Sequence, residues 1–405
     1  MSCLFKYSTA ENSSWKTELL GNIAETTSGG TPDKKHPEYY DNGNILWVRS
    51  GELDKGIIND TEIKITNKGL HNSSAKVFPA GTLLIALYGA TIGKLAFLGK
   101  PAATNQAICA IFHNDKVSLN YLYYYLLFHR SDLVKQGIGG AQPNISQAIL
   151  KKLRVRYPVS IVEQERIVAR IQELFSQLDA GVETLKKAKA QLAVYRQAVL
   201  KEAFAGLTVK RPIREMSSLV TSGSRGWAQY YADRGARFIR ITDLTRDGIQ
   251  LKNDSIQYVV LPDKAEGKRS RLLGGDVLVS ITADLGSVAL IPENIDEAYI
   301  NQHIAMVRFN NPSQGEFMAW YLRSDCGQKD LLKNRRGGGK LGLGLDDIRD
   351  TLVPVVSDGV TQQIVAFIDD RLSVCDNIEQ TVDAALQQAE AMRQSILKQA
   401  FEGRL

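Results

Sequence analysis

The sequence predicts an α+β protein in which two globular domains of mixed β-structure and helices are joined by two long helices. The first observation is a duplication: residues 167–206 align without a gap with residues 364–403, and 16 of the 40 positions are identical. Unrelated sequences would share roughly 6%. The second observation is that the long segments before the two copies contain strand-like runs in the same order. Because a period of 197 residues exceeds the roughly 20–50 residues of a solenoid repeat, two large tandem modules are predicted.

The first predicted element is a globular domain at residues 1–158. It contains short apolar or alternating runs separated by glycine, namely "NILWVRSG", "TLLIALYG", "KLAFLG" and "ICAIF". Such runs are typical of strands with tight connections. An aromatic helix, "NYLYYYLLFHR", and a Gly-rich turn, "GIGGAQPNIS", complete the domain.

The second element, residues 159–207, is predicted to be one long helix. Its apolar residues recur at steps of three or four, and no proline occurs between Glu163 and Lys210, which indicates an amphipathic helix. At 1.5 Å per residue, some 40 residues give a rod of about 60 Å. The predicted seam residues are Ile171, Leu178, Leu185, Leu192 and Val199.

The third and fourth elements, a globular domain at residues 208–355 and a helix at residues 356–405, repeat this plan. Aligned positions include Arg49 with Arg240, Asn105 with Asn301, and Gln106 with Gln302. The second seam consists of Ile368, Cys375, Val382, Met392 and Ile396. Because a narrow apolar stripe needs a partner, we expect the two helices to form an antiparallel coiled coil with pseudo-two-fold symmetry. A plain dimerisation stalk is the alternative.

The composition, with 44% apolar and 23% charged residues, is that of an ordinary globular protein. The excess of positive charge lies in the long segments: residues 1–162 carry 18 basic against 12 acidic side chains, and residues 207–360 carry 21 against 19. This distribution suits an anionic partner. A solvated basic surface explains the charge alone equally well.

Several classes of site are not predicted. The four cysteines form no C-x-x-C pair and the five histidines show no metal-ligand spacing, which argues against zinc and disulfides and for a reducing cytosol. No segment is apolar enough to be a signal core or a membrane span. Residues 337–342, "GGGKLG", fit G-x-G-x-x-G but follow a charged, helix-like stretch instead of a strand, so no nucleotide site is predicted.

Several longer motifs carry a resemblance to a known family. They are "SGGTPDKKHPEYYDNGNILWVRSGEL", "GATIGK", "ATNQAI", "VEQERIVARI" and the helix ends "RQAVLKEAFAG" and "RQSILKQAFEG". In these motifs, over essentially its whole length, the chain resembles the specificity subunit of type I restriction–modification systems. The second helix starts with "SDGVTQQI" and so departs from the usual Glu-Gln pair, which Glu163 and Gln164 retain.

The resemblance implies a function as well as a fold. Each globular segment would be a target recognition domain that reads one half of a bipartite double-stranded DNA site. The two helices, conserved in that family, would set the spacing and dock two methyltransferase subunits for adenine N6 methylation, which restriction subunits then join. S-adenosylmethionine, ATP and magnesium would be used by those partners and none by this chain. The location implied is the cytoplasm of a bacterium or archaeon, away from any membrane.

The expected geometry follows from the duplication. A direct repeat whose helices pack antiparallel presents its two domains to DNA in opposite senses. The half-sites should then be separated by roughly one turn of duplex, ~34–36 Å, or somewhat more. Since the two domains differ in sequence, the half-sites should differ and the target should not be a palindrome.

Candidate DNA-contacting residues are those whose side chains suit phosphates or base edges. In the first domain they are Thr31, Lys34, Lys35, Tyr39, Arg49, Tyr88, Lys94 and Gln142. In the second domain they are Ser222, Ser224, Arg225, Trp227, Tyr230, Arg237, Arg240, Thr282, Arg335, Arg336 and Lys340. Each of them has a surface or packing role as its alternative. Arg49 and Arg240 could equally be structural ion-pair partners.

The Asn-Gln pair that recurs in both domains calls for a different interpretation. Shared residues are not expected to explain different specificities, so a turn-stabilising or phosphate-binding role is favoured for the pair. The aromatic side chains of "YLYYYLLF" are interpreted mainly as helix core, with base stacking as the minor alternative.

Two other functions compete with DNA recognition by a non-catalytic subunit. One is a coiled-coil scaffold that binds only protein. The other is a self-sufficient DNA-modifying enzyme, but the sequence lacks the Asn-Pro-Pro-aromatic run of an adenine methyltransferase and any clustered carboxylate–lysine set. No catalytic residue is therefore predicted.

Overall fold

The computed structural model describes residues 14–137, 144–261, 269–333, 335 and 342–405. The chain divides into two compact units. The first unit contains the described residues up to Glu183 together with Leu386–Leu405, and the second contains those within Thr184–Ala385. The part of the chain described contains no helix that is long and apolar enough to cross a membrane.

The described part of the first unit contains three sheets and several helices. Its strands are β1 (Trp15–Leu19), β2 (Thr26–Ser28), β3 (Ile45–Val48), β4 (Gly56–Ile58), β5 (Lys64–Ile65), β6 (Val77–Phe78), β7 (Leu83–Ala86), β8 (Leu95–Leu98), β9 (Ala102–Thr104), β10 (Ile108–Ile111) and β11 (Arg154–Pro158). Its helices are α1 (Leu20–Ile23), α2 (Asn67–His71), α3 (Leu119–Phe128), α4 (Arg130–Lys135), α5 (Gln147–Lys151) and the start of α6 (Ile161–Ala203). The sheet orders are β2-β10-β7-β8-β4, β5-β3-β9-β6 and β1-β11.

The five-stranded sheet is buried on both faces, which explains the apolar runs of its central strands. Along β7, Ile85 packs into a core with the helices, whereas Leu84 packs into a second core with residues of the four-stranded sheet. Alternate side chains of a strand point to opposite faces. A strand covered on both faces is therefore apolar at every position.

The second unit has a related topology, although in the described ranges its two larger sheets have four strands each where those of the first unit have five and four. Its strands are β12 (Lys210–Pro212), β13 (Ser217–Ser222), β14 (Tyr231–Ala232), β15 (Ala236–Ile239), β16 (Gln257–Val259), β17 (Val277–Ser280), β18 (Val288–Leu290), β19 (Ala298–Ile300), β20 (Ile304–Phe309) and β21 (Leu352–Pro354). Its helices are α7 (Ile213–Met216), α8 (Gly315–Arg323), α9 (Asp325–Leu332), α10 (Leu345–Arg349) and the start of α11 (Asp358–Phe401). The sheet orders are β13-β20-β17-β18, β14-β16-β15-β19 and β12-β21. A parallel pair occurs at the corresponding place in each unit, β3 with β9 and β15 with β19.

The ends of the long helices explain why their sequences are so similar. Phe401, near the end of α11, packs in the first unit with its ring 5.3 Å from that of Tyr121 and 5.0 Å from that of Tyr125. Phe204, just beyond α6, packs in the second unit at 5.5 Å from Phe317 and 5.3 Å from Tyr321. The repeated "AF" thus meets the same kind of aromatic helix, α3 or α8, in both units.

The two long helices run antiparallel within each unit. In the second unit Lys189 pairs with Asp383 at 2.7 Å and Arg196 pairs with Asp376 at 2.6 Å, so seven residues forward on α6 correspond to seven residues back on α11. In the first unit Arg393 pairs with Asp179. There the Arg166 side chain also donates to the Leu405 carbonyl oxygen at 3.0 Å, which gives the same direction.

The predicted seams need one correction. Ile171, Val199, Ile368, Cys375 and Val382 are buried, and Leu178, Leu185, Leu192 and Ile396 are half-buried. Met392, however, is 46% exposed. The neighbouring Arg393 lies closer to the seam, with its guanidinium 5.0 Å from the Phe175 ring centroid. An arginine can cover apolar surface with its stem while its charged end is paired, and apolar periodicity alone misses such a residue.

Candidate nucleic-acid interface

Four loop segments of the first unit meet at one edge of the five-stranded sheet. The Leu87 N–H donates to the Ala107 carbonyl at 2.8 Å, and the Ile145 N–H donates to the Leu87 carbonyl at 2.9 Å. Tyr88 and Asn144 form an isolated antiparallel bridge. We call the resulting surface the first loop edge; it consists of residues 29–31, 88, 105–106 and 144.

The second unit builds the same frame from different residues. The Ile281 N–H donates to the His303 carbonyl at 2.9 Å, and the Leu343 N–H donates to the Ile281 carbonyl at 3.0 Å. Two further bridges join Ser224 with Asn301 and Thr282 with Gly342. The second loop edge consists of residues 222–224, 282, 301–303 and 342.

A glycine is required at the same place in each edge. A Cβ on Gly29 would lie 2.1 Å from the Thr104 carbonyl oxygen, and a Cβ on Gly223 would lie 1.9 Å from the Ile300 carbonyl oxygen. Only a residue without a side chain lets the two backbones approach this closely. The backbone frame is therefore common to both edges, which share the Asn-Gln pair and differ in the side chains around it.

The side chains of the first loop edge centre on Gln106. The Thr31 hydroxyl donates to the Gln106 side-chain carbonyl, and Gln106 is exposed. Tyr88 stands beside it with 43% of its surface exposed. The edge therefore offers an amide and a phenol to solvent.

The second loop edge centres on His303. Its Nδ1 lies 2.5 Å from the Thr282 hydroxyl, and its Nε2 lies 2.9 Å from the amide nitrogen of Gln302. Its backbone N–H donates to the Asn301 side-chain oxygen at 3.1 Å. Sequence reasoning did not select His303 or either glutamine as a base-contacting residue, although the Asn-Gln pair repeated in both domains was a usable signal.

Exposed basic side chains follow each loop edge closely along the chain. Lys34 and Lys35 come just after Thr31, and Arg225 follows Ser224. Within the described ranges, no ion-pair or hydrogen-bond partner exists for the side chains of these three residues. Unpaired cations of this kind suit phosphate oxygens. Tyr39, also predicted, stacks on His36 with ring centroids 4.9 Å apart.

Other predicted cations are already engaged within their own unit. Arg49 pairs with Glu62. Lys94 pairs with Asp54 at 2.9 Å, and its hydrogen bond lowers the pKa of the Asp54 carboxyl below the ordinary value. These contacts favour structural roles in the first unit.

Two of the predicted arginines in the second unit also have hydrogen-bond partners within that unit. Arg240 donates to the Ser255 carbonyl oxygen at 2.9 Å, and Arg237 donates to the Lys252 carbonyl oxygen at 3.0 Å. For the aligned pair Arg49 and Arg240, the geometry therefore favours the structural alternative.

Trp227 requires a correction. It is only 5% exposed, and its ring centroid lies 4.6 Å from that of Phe238, so its ring belongs to a small core and is not available to a nucleic acid. Tyr230 is half-buried against it, with centroids 6.5 Å apart.

The remaining candidates are divided between described and undescribed parts of the chain. Ser222 lies in β13 opposite Ala305, and Arg335 is exposed. Gln142, Arg336 and Lys340 lie outside the described residues. Among the residues that are described, no three His, Cys, Asp or Glu side chains are grouped closely enough to hold a metal ion.

Comparison with known proteins decides the family. Residues 12–192 and 231–388 match the family model described as "Type I restriction modification DNA specificity domain". The chain belongs to this family.

Among its relatives, the specificity subunit of the type I restriction enzyme EcoR124I/EcoR124II of Escherichia coli is 30% identical over 159 residues, a match that spans 38% of this chain and only 39% of the relative. The StySPI specificity subunit of Salmonella potsdam is 24% identical over 420 residues, spanning 96% of this chain and 89% of the relative.

A solved structure gives the same fold. It is described as "Structural basis underlying complex assembly and conformational transition of the type I R-M system" and matches with a TM-score of 0.76 at 18% identity. The match covers 98% of this chain and 100% of that one. The mixed α/β architecture with two domains and long helices is therefore a known fold.

Proposed function

We propose that this protein is the DNA-specificity subunit of a type I restriction–modification complex, in which each loop edge contacts one half of a bipartite, asymmetric target. The observation that carries the proposal is the pair of loop edges. Both have the same backbone frame, with matching hydrogen bonds at Leu87 and Ile281, yet around a shared Asn-Gln pair they present different side chains, such as Tyr88 in one and Thr282 in the other. A common frame with different side chains suits two readers of the same kind of molecule with different sequence preferences.

The unpaired cations support DNA as that molecule. Lys34, Lys35 and Arg225 lie one to four residues from the loop edges along the chain. Contacts to phosphates position a protein on the duplex, whereas contacts to base edges specify the sequence. The arrangement provides both kinds of group close together.

We further propose that the long helices form an antiparallel coiled coil with pseudo-two-fold symmetry that sets the interval between half-sites. Asp179 and Arg196 of the first helix correspond to Asp376 and Arg393 of the second at the duplication offset of 197 residues. The Asp179–Arg393 ion pair and the Asp376–Arg196 ion pair therefore join equivalent positions of the two repeats. Each helix, of 43 or 44 residues, is about 65 Å long at 1.5 Å per residue. Both features support a stiff spacer.

Catalysis is assigned to partner subunits. We propose that two methyltransferase subunits dock on the helices and methylate adenine N6, and that restriction subunits join through them. S-adenosylmethionine, ATP and magnesium would be used by those partner subunits. The sequence lacks the Asn-Pro-Pro-aromatic run of an adenine methyltransferase, which supports a non-catalytic role for this chain.

Equilibrium binding measurements test the proposal. The chain, assembled with its methyltransferase, is titrated against random-sequence duplexes at several salt concentrations. We expect log K to fall linearly with log salt, by about 0.9 per phosphate contact. Salt-independent or undetectable binding would favour the protein-only scaffold. Methylation by the purified chain with S-adenosylmethionine alone would instead favour a self-sufficient enzyme.

A further inference from the structure

Each loop edge has a glutamine at the same aligned position, but different neighbours hydrogen-bond to it. Gln106 and Gln302 occupy aligned positions in the turns before β10 and β20. Gln106 is held by the Thr31 hydroxyl, whereas Gln302 is held by His303. The residue at the position of His303 in the first unit is Ala107, which has no polar side chain. A shared residue is therefore oriented by contacts that are not shared.

In the second loop edge, the hydrogen bonds around His303 have a defined donor and acceptor at each step. The amide nitrogen of Gln302 has hydrogens and no lone pair to accept with, so it donates to Nε2 of His303. A neutral imidazole that accepts at Nε2 carries its hydrogen on Nδ1 and donates it to the Thr282 hydroxyl. The Gln302 amide is thereby held with its nitrogen toward His303, and within the described ranges its carbonyl oxygen accepts no hydrogen bond and can accept one from a ligand.

The first loop edge has the opposite arrangement. The Thr31 hydroxyl donates to the carbonyl oxygen of Gln106. Among the residues that the structure describes, the amide N–H groups of Gln106 have no acceptor and can donate to a ligand. Because the side chain is exposed, these donors are accessible to a ligand.

We propose, on the basis of the proposed function, that Gln106 and Gln302 both contact bases, Gln106 as a hydrogen-bond donor and Gln302 as an acceptor. In the major groove, amide N–H groups match the acceptors N7 and O6 of guanine, N7 of adenine and O4 of thymine. A carbonyl oxygen matches the amino groups N6 of adenine and N4 of cytosine. Guanine and thymine present only acceptors there, whereas adenine and cytosine present an amino group. Gln106 then selects guanine or thymine, the acceptor bases, in the first half-site, and Gln302 selects adenine or cytosine, the amino bases, in the second.

This assignment changes the role expected from the sequence. A residue common to both domains is not expected to distinguish two half-sites. That expectation holds when the turn that carries the residue also fixes its orientation, because the same groups are then presented in both domains. Here the orientation is fixed by Thr31 in one unit and by His303 with Thr282 in the other. His303 and Thr282 are positioning residues, and Gln302 is the residue that touches the base.

The test uses the same substitution at both glutamines. Glutamate accepts hydrogen bonds but does not donate when ionised, and it adds the same charge to either domain. Gln302→Glu should keep the amino base at its position in the second half-site. Gln106→Glu should lose its acceptor base and gain an amino base in the first half-site. Each change is read from the modified adenines in the genome of cells that carry the variant together with its methyltransferase.

A second pair of variants tests the positioning role. His303→Ala frees the Gln302 amide to turn, so one position of the second half-site should become degenerate, with a roughly 2- to 10-fold loss of discrimination, the size expected for one hydrogen bond. The first half-site serves as an internal control and should not change. His303→Gln offers an acceptor to Gln302 again and should restore the preference. A merely structural role of His303 would lower the amount of modification without changing the bases selected.

The outcomes separate this inference from the proposed function. A wild-type chain that produces no split motif overturns the proposed function, and the inference with it. A wild-type split motif that neither glutamate variant changes overturns the inference alone. The inference alone is also overturned if both glutamate variants change their half-sites in the same direction.

Discussion

Replacing Phe401 with Ala should destabilise the first unit and spare the second. Phe401 is 4% exposed, and its ring contacts those of Tyr121, Tyr125 and Phe128 at centroid distances of 5.3, 5.0 and 5.7 Å. Removing a buried Phe side chain costs about 3–5 kcal/mol, and the lost aromatic pairs, worth about 0.5–1.5 kcal/mol each, place the cost at the upper end. The matched variant is Phe204→Ala, which removes the corresponding ring from the second unit.

Hydrogen exchange measured by mass spectrometry can locate the effect. Amides of α3 should exchange about two to four orders of magnitude faster in Phe401→Ala, because each 1.4 kcal/mol is a factor of ten in the opening equilibrium. Amides of α8 should keep their wild-type rates. Phe204→Ala should give the reverse pattern. If α3 kept its protection in Phe401→Ala, or if both variants loosened both units equally, the assignment of each helix end to one aromatic helix would be wrong.

Three further predictions concern the helices, the phosphate contacts and an ion pair whose aspartate is buried. Leu192→Pro should break α6 at a cost of about 3 kcal/mol or more and abolish assembly with the methyltransferase, as checked by light scattering; intact assembly would contradict the spacer role. Lys34→Ala and Arg225→Ala should each weaken DNA binding and lower the salt slope by about 0.9, and unchanged slopes would remove these residues from the interface. Asp276→Ala should cost about 1–3 kcal/mol in urea unfolding, because Asp276 is 1% exposed and accepts two hydrogen bonds from Arg308 at 2.8 and 2.7 Å, while the Arg308 side chain is 25% exposed and water can replace part of the lost contact; a loss below about 0.5 kcal/mol would show that the pair contributes no more than an exposed one.

The sequence was sufficient for features that repeat along the chain. Apolar steps of three and four predicted helices where the structure has Ile161–Ala203 and Asp358–Phe401. Glycine-bounded apolar runs predicted strands such as Leu83–Ala86 and Val277–Ser280. These patterns are local, and burial of one or both faces imposes them directly on the sequence.

Features that depend on distant residues were not accessible. The bridge of Tyr88 with Asn144 and that of Thr282 with Gly342 join residues more than 50 positions apart, so the loop edges form only in the folded chain. The helix seam illustrates the same limit, since Arg393 is drawn to it by Asp179 and Phe175. A charged residue at such a position is invisible to an apolar pattern.

The candidate contacts were selected by residue type, and type does not show whether a side chain is free. Arg49 and Lys34 have the same charge, yet Arg49 pairs with Glu62 while Lys34 is exposed. Trp227 has the right chemistry for base stacking but is buried beside Phe238. The orientation of Gln302 depends on His303, a residue with no motif of its own.

The central claim is that two different domains each read one half-site and that the distance between the half-sites is fixed. Its most direct test is methylome sequencing with a chimeric chain that carries the first domain of a relative. Residues 1–162 are replaced by the corresponding segment of another family member, and the chain is expressed with its methyltransferase. We predict a split, asymmetric motif in which only one half changes, while the other half and the number of intervening base pairs remain as in the wild type. A change in both halves, or in the interval, would contradict the claim.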